Sequence, residues 1–164
     1  MKMEANENPN DITGFTPIDP GRYCVEIADV DDTRTVEVRE SDGKLRCCDV
    51  LKLRILSGEI SGHENKELKV FMDLKLEKDG STFTEGDIHR KWAYAAGLLN
   101  PGQTIDFKPY MLRGCTVIVN ITKDKSGKYA NVGNWGYDVW RIGDPAVAGV
   151  PTAVSSRDEM DGVL

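Results

Sequence analysis

The most constraining feature of this chain is the stretch of residues 114–142, whose first half alternates. Val117, Val119 and Ile121 point one way, while Thr116, Asn120 and Thr122 point the other, which is the period-two pattern of a half-buried strand. Ile118 alone interrupts the polar face. A charged turn follows, Lys123-Asp124-Lys125-Ser126-Gly127-Lys128, with Gly127 free to take a positive φ. The return run interleaves Tyr129, Trp135, Tyr137 and Trp140 with Gly133, Asn134, Gly136 and Arg141. A basic turn beside aromatics is what a single-stranded nucleic-acid surface needs, since every base has a face to stack and the backbone needs cations along its track. The competing expectation for each aromatic is a place in the core.

Three earlier runs share the alternation. Residues 22–30 place Tyr23, Val25 and Ile27 on one face; a continuation through residues 35–38 follows a kink at Asp31-Asp32. Ser41-Asp42-Gly43-Lys44 reads as a hairpin turn. Residues 45–56 form the second strand, with Leu51, Leu53 and Ile55 inward and Lys52 and Arg54 outward. Residues 67–76 form the third, with Leu68, Val70 and Met72 opposite Lys69, Phe71 and Asp73. A helix is predicted next: Thr84 and Asp87 resemble a capping box, and Ile88, Trp92, Ala95 and Leu99 make one apolar stripe ended by Asn100-Pro101-Gly102. Trp92 reads as core, and His89, Arg90 and Lys91 as a solvated side.

Three strands, a helix and two strands predict a mainly β chain with an OB-like five-stranded Greek-key barrel, the helix lying between the third and fourth strands. An SH3-like barrel or a small sandwich fits similar patterning. The predicted layout is a disordered tail at 1–17, the OB-like domain at 18–143, and a flexible acidic tail at 144–164. In an OB fold the second and third strands carry the binding face, and the loops between the first and second and between the fourth and fifth strands act as jaws, here Asp31 to Lys44 and Lys123 to Lys128. The DNA-binding candidates are therefore Lys52, Arg54, Lys69 and Phe71 on strands, Lys123, Lys125, Lys128 and Tyr129 at the hairpin, and Trp135, Tyr137 and Arg141 on the return.

Charge shapes that expectation. The net charge of −6 argues against a general nucleic-acid footprint. However, residues 1–17 set Lys2 against Glu4, Glu7 and Asp11, and residues 144–164 set Arg157 against Asp144, Asp158, Glu159 and Asp161. The body, 18–143, is left at a net of −1, so binding must rest on a local basic stripe and on stacking. No apolar run approaches the roughly 18–20 residues of a membrane-spanning helix, and the polar N-terminus has no apolar signal segment, so the expectation is cytoplasmic. Cys24, Cys47, Cys48 and Cys115 include no C-x-x-C pair and read as free thiols in strand-like runs. With His63 and His89 isolated, neither a metal site nor a cofactor is suggested. No G-x-S-x-G, Walker loop or HExxH motif points to an enzyme.

Several segments carry a resemblance. They are Pro20-Gly21-Arg22-Tyr23-Cys24-Val25-Glu26-Ile27, Leu51-Lys52-Leu53-Arg54-Ile55-Leu56-Ser57-Gly58-Glu59-Ile60-Ser61-Gly62, Ala95-Ala96-Gly97-Leu98, Leu112-Arg113-Gly114-Cys115 and Asn134-Trp135-Gly136-Tyr137. In these the chain resembles a phage-encoded family, long labelled as of unknown function, whose genes sit in replication and recombination modules. That family is regarded as OB-like and single-stranded-DNA-binding. The resemblance implies a protein that coats and protects single strands in replication, recombination or repair, with low sequence specificity; it supplies no binding residues. The last segment, with Asp158, Glu159, Met160, Asp161, Val163 and Leu164, is similar to the acidic, apolar-ended tails of bacterial and phage single-stranded-DNA-binding proteins, implying capture of replication or recombination partners there. Self-association stays open. The alternative is an OB-like protein-interaction or phage structural module without nucleic-acid binding.

Overall fold

In the computed structural model, residues 17–153 are described. The segment 1–16 and the end 154–164 lie outside the described residues, and with them the partner-binding candidates Asp158, Glu159, Met160, Asp161, Val163 and Leu164.

Alternation becomes curvature in five stretches of chain. The elements run β1 (Gly21–Asp31), β2 (Glu37–Val38), β3 (Leu45–Arg46), β4 (Cys48–Gly58), β5 (Glu67–Asp73), β6 (Lys75–Leu76), β7 (Phe83–Thr84), α1 (Asp87–Ala95), β8 (Thr116–Lys123), β9 (Ala130–Val132) and β10 (Val139–Trp140). The main sheet is ordered β10-β8-β1-β4-β5, with β9 also pairing β8, and every pairing is antiparallel. Register shifts in β1 after Cys24 and after Ile27 tighten the bend. The result is a nearly closed five-strand antiparallel barrel of OB-like form, mainly β, with its helix between the third and fourth long strands.

The inward residues meet as expected. Tyr23, Val25 and Ile27 from β1, Leu51, Leu53 and Ile55 from β4, Val70 and Met72 from β5, and Val117, Val119 and Ile121 from β8 share one core with Ile88 and Trp92 of α1. The hairpin at 41–44 also forms, joining β2 to β3 as a separate ribbon rather than as an extension of β1.

Four local expectations are corrected. The helix stops at Ala95, short of Leu99, where Gly97 takes φ 78°. Its N-cap is Gly86, while Thr84 donates its hydroxyl to Glu77 at 2.6 Å instead of capping. His89 is not solvated; it is 1% exposed. The flexible tail does not begin at 144. Residues 144–153 form a strap over the barrel wall, in which Val147 and Val150 are buried against Ile118 and Trp140. Arg22 Nη1 donates to the Ala146 carbonyl at 2.9 Å, and Ser57 Oγ to the Pro151 carbonyl at 2.8 Å. The strap is the physical reason for Ile118: an outward apolar side chain stands where the chain's own later residues cover it. None of the four cysteines is in a disulfide.

Candidate nucleic-acid interface

The site lies at the seam of the barrel. β5 pairs with β4 and β9 pairs with β8, and a cleft of about 580 Å³ runs between β5 and β9. Its walls include Lys69 and Phe71 from β5, Lys123 and Lys125 from the β8–β9 hairpin, and Trp135 beyond β9. Arg46 adds a fourth cation, against the carboxylates Asp73 and Asp124. The cleft is thus locally cationic on a chain of net −6.

Neither carboxylate is presented freely. The Asp124 side chain turns into the hairpin, accepting from Ser126 Oγ at 2.7 Å and the Tyr129 amide at 3.4 Å, and these bonds hold its pKa below the ordinary carboxylate range. Asp73 accepts from Arg46 Nε and Cys48 Sγ. Burial pushes the Asp73 pKa up, but those bonds and the Arg46 charge outweigh it and hold the carboxyl low. The same contact, with burial first, pushes the Cys48 thiol up to about 12, so it remains an unreactive thiol at neutral pH. The Arg46 guanidinium also lies 5.9 Å from the Phe71 ring centroid, a cation–π contact that steadies the ring.

The aromatic return is not one strand. It is broken by a 3-10 turn at Asn134–Gly136, in which Asn134 and Trp135 both take left-handed φ, 53° and 55°, followed by Gly136 at 91°. Left-handed backbone costs an L residue roughly 1–2 kcal/mol. The turn persists because its surroundings over-determine it. Gly133 donates to the Asn120 carbonyl at 2.8 Å and accepts from Gly136 and Asp138. A Cβ on Gly133 would stand 2.6 Å from Asp138 Oδ2, so any larger residue would have to push that carboxylate aside. From inside, the Trp92 indole donates to the Gly136 carbonyl at 2.9 Å. The consequence is a Trp135 side chain that is 94% exposed, near a Phe71 that is 53% exposed. Large apolar rings normally lie in the core.

Of the sequence-predicted residues, Lys69, Phe71, Lys123, Lys125 and Trp135 are brought together in the seam cleft. Lys52 faces Lys69 across the β4–β5 ladder, on the adjoining outer face. Arg54 is drawn away to Glu26, at 3.1 Å on the β1–β4 wall. Lys128 sits in the turn between β8 and β9 with Tyr129, which is 45% exposed. Tyr137 packs against the core and lines a neighbouring cleft instead. Arg141 lies outside the seam cleft: its guanidinium donates to the carbonyls of Tyr94, in the last turn of α1, and of Leu99, beyond it, at 3.0–3.1 Å. Trp140 is half-buried under the strap.

Sequence reasoning did not single out Arg46, and it took residues 31–44 only as a loop flanking the binding face, with no contact named there. Phe71 also lines a cleft of about 220 Å³ with Thr33, Thr35, Glu37 and Arg46, so the loop forms a second wall beside the ring. That loop is pinned by Arg34, whose guanidinium forks onto the fully buried Asp49 at 3.0 and 3.1 Å and reaches Glu85 at 2.7 Å. His89 Nε2 donates to the same Asp49 at 2.8 Å, with the Gly86 amide on its Nδ1 at 3.3 Å. Burial raises the Asp49 pKa, and the His89 and Arg34 bonds more than reverse it, leaving the carboxyl below its usual range.

Compared with known proteins, the chain matches no family model, and no curated sequence matches it. Among the described residues no helix is long and apolar enough to cross a membrane.

Proposed function

We propose that this chain is a non-enzymatic single-stranded-DNA-binding protein of the phage type. It would hold the strand in the seam cleft and protect unwound DNA during replication, recombination or repair. The observation that carries this reading is the meeting of exposed Trp135 and Phe71 with Lys69, Lys123 and Lys125 in one cleft. Bases stack on the two rings, each stack contributing roughly 1–3 kcal/mol, and the lysines contact phosphate and release counterions. Because stacking and phosphate contacts read no base edge, sequence preference is weak. A duplex keeps its bases stacked on one another and offers the rings nothing, so single strands bind in preference. The acidic end, with Asp158, Glu159 and Asp161, would serve replication or recombination partners.

Titrating the protein with a single-stranded oligonucleotide and its duplex, read by anisotropy, tests the reading. The expected result is tighter single-strand binding that weakens with salt at a log–log slope near −0.7 per phosphate contacted. Equal affinity for both forms contradicts it. A protein-interaction module remains the competing class, favoured by Val36, Val38 and Leu45, which stand exposed at and beside the β2–β3 ribbon; no tryptophan quenching by any oligonucleotide would select it.

A further inference from the structure

The two walls beside Phe71 are far apart in sequence, yet one helix holds both. At one wall, α1 reaches the Trp135 turn twice. Trp92, fully buried, donates its indole N–H to the Gly136 carbonyl at 2.9 Å. Ile88 packs so close that a Cβ on Gly136 would lie 3.1 Å from its Cδ1. At the other wall, His89 donates to Asp49 at 2.8 Å, and Asp49 receives the Arg34 fork from the β1–β2 loop. Arg34 itself takes φ 56°, so the loop is held in a left-handed kink that this buried acceptor sustains. Glu85, two residues before α1, takes the remaining Arg34 bond. His89 and Trp92 stand at i and i+3, neighbours on one helix face. Both hydrogen bonds are buried, where a lost partner leaves a polar group unsatisfied.

We propose that His89 and Trp92 are positioning residues for the single-strand groove. Through them α1 sets the separation of the Trp135 turn and the Arg34 loop, so the two walls move as one body around Phe71. This rests on the seam cleft being the binding site, which is why one of its readouts needs no DNA. A rigid helix bonded to both walls is a single lever: displacing it shifts both, whereas separately packed loops would respond one at a time.

The test is Trp92→Phe, which keeps an aromatic ring in the core but deletes the donor together with part of the indole's volume, read by amide hydrogen exchange without DNA and by single-strand affinity. Exchange at residues 133–138 is expected to accelerate, with smaller acceleration at residues 33–36 reporting the shared helix. Affinity is expected to fall about three- to tenfold, the range a lost buried hydrogen bond spans. In a Trp135→Ala background most of that fall should disappear, because Trp92 acts chiefly through Trp135 and only weakly through the Arg34 wall. An affinity loss of equal size in both backgrounds, or unchanged exchange at residues 133–138, would overturn the proposal. His89→Leu against His89→Gln is the second arm, should Trp92→Phe unfold the chain. Glutamine restores an N–H toward Asp49 and should restore slow exchange at residues 33–36, and equal exchange in the two variants overturns the proposal. Faster exchange in a protein that binds no DNA would sink the functional reading while leaving the coupling of the walls intact.

Discussion

Two clefts meet at Phe71 and Trp135, and both rings line both of them. They are nearly equal in size, about 580 Å³ at the seam and about 590 Å³ on the α1 side. Their charge is opposite. The seam sets Arg46, Lys69, Lys123 and Lys125 against Asp73 and Asp124. The α1 side sets Asp73, Glu77, Glu85 and Asp87 against Lys75 and Arg90. Shape alone would let a strand enter either; the sign of the charge decides, because phosphate is attracted along one and repelled along the other. The aromatic pair therefore stands at the end of a cationic track, not in the middle of one.

The largest effect should come from the residue both clefts share. Trp135→Ala is expected to weaken single-strand binding roughly 5- to 150-fold, the stacking range of about 1–3 kcal/mol, while the melting temperature holds because the side chain is 94% exposed. A loss of several kcal/mol of stability in calorimetry, as follows from truncating a buried Trp, would show the ring to be structural. Next in size, replacing Lys123, Lys125 and Lys128 together by Ala should lower affinity at low salt and flatten the salt slope by up to about 2, at about 0.7 per phosphate lost. An unchanged slope would remove the hairpin from the track.

A smaller change is expected from the other cleft. Glu77→Gln with Asp87→Asn should tighten single-strand binding a few-fold at low salt and leave it unchanged at high salt, as screening would require. Weaker binding in that variant would mean that the acidic side makes favourable contacts. The smallest effect is with pH. Asp73 and Glu85 have pKa values held low, the first against its own burial by the Cys48 and Arg46 bonds, the second chiefly by the Arg34 bond. Their folded values lie below the unfolded ones, so the stability they contribute is fully present above about pH 5 and is lost as pH falls through the lower folded values. Asp73 and Glu85 therefore stay charged above about pH 5, and chemical denaturation from about pH 5 to 8 should show no step from these two groups.

The strand alternation was legible because the core repeats at period two: Val117, Val119 and Ile121 could only face inward together. What the residues do at longer range was not. Ile118 breaks the pattern locally, and its cover arrives from Val147 and Val150. His89 looks solvated on a helical wheel because its partner Asp49 lies 40 residues earlier. Arg141 looks like one more cation beside aromatics, yet it is spent on the end of α1. The reverse held for Trp135. Its neighbours suggested a strand, but Gly133, Gly136 and the buried Trp92 fold a turn that ejects it. Periodicity reports the side a residue takes on its own element, whereas the partner that keeps or frees it comes from elsewhere in the chain.

Ultraviolet cross-linking of a bound single-stranded oligonucleotide, with the adducts mapped by mass spectrometry, tests the seam cleft most directly. The expected result is adducts on the peptides carrying Phe71, Trp135 and Lys123–Lys125, which a duplex of the same sequence fails to form. Adducts confined to the face around Tyr94, Trp140 and Ile142, or none on Phe71 and Trp135 at saturating DNA, would contradict it.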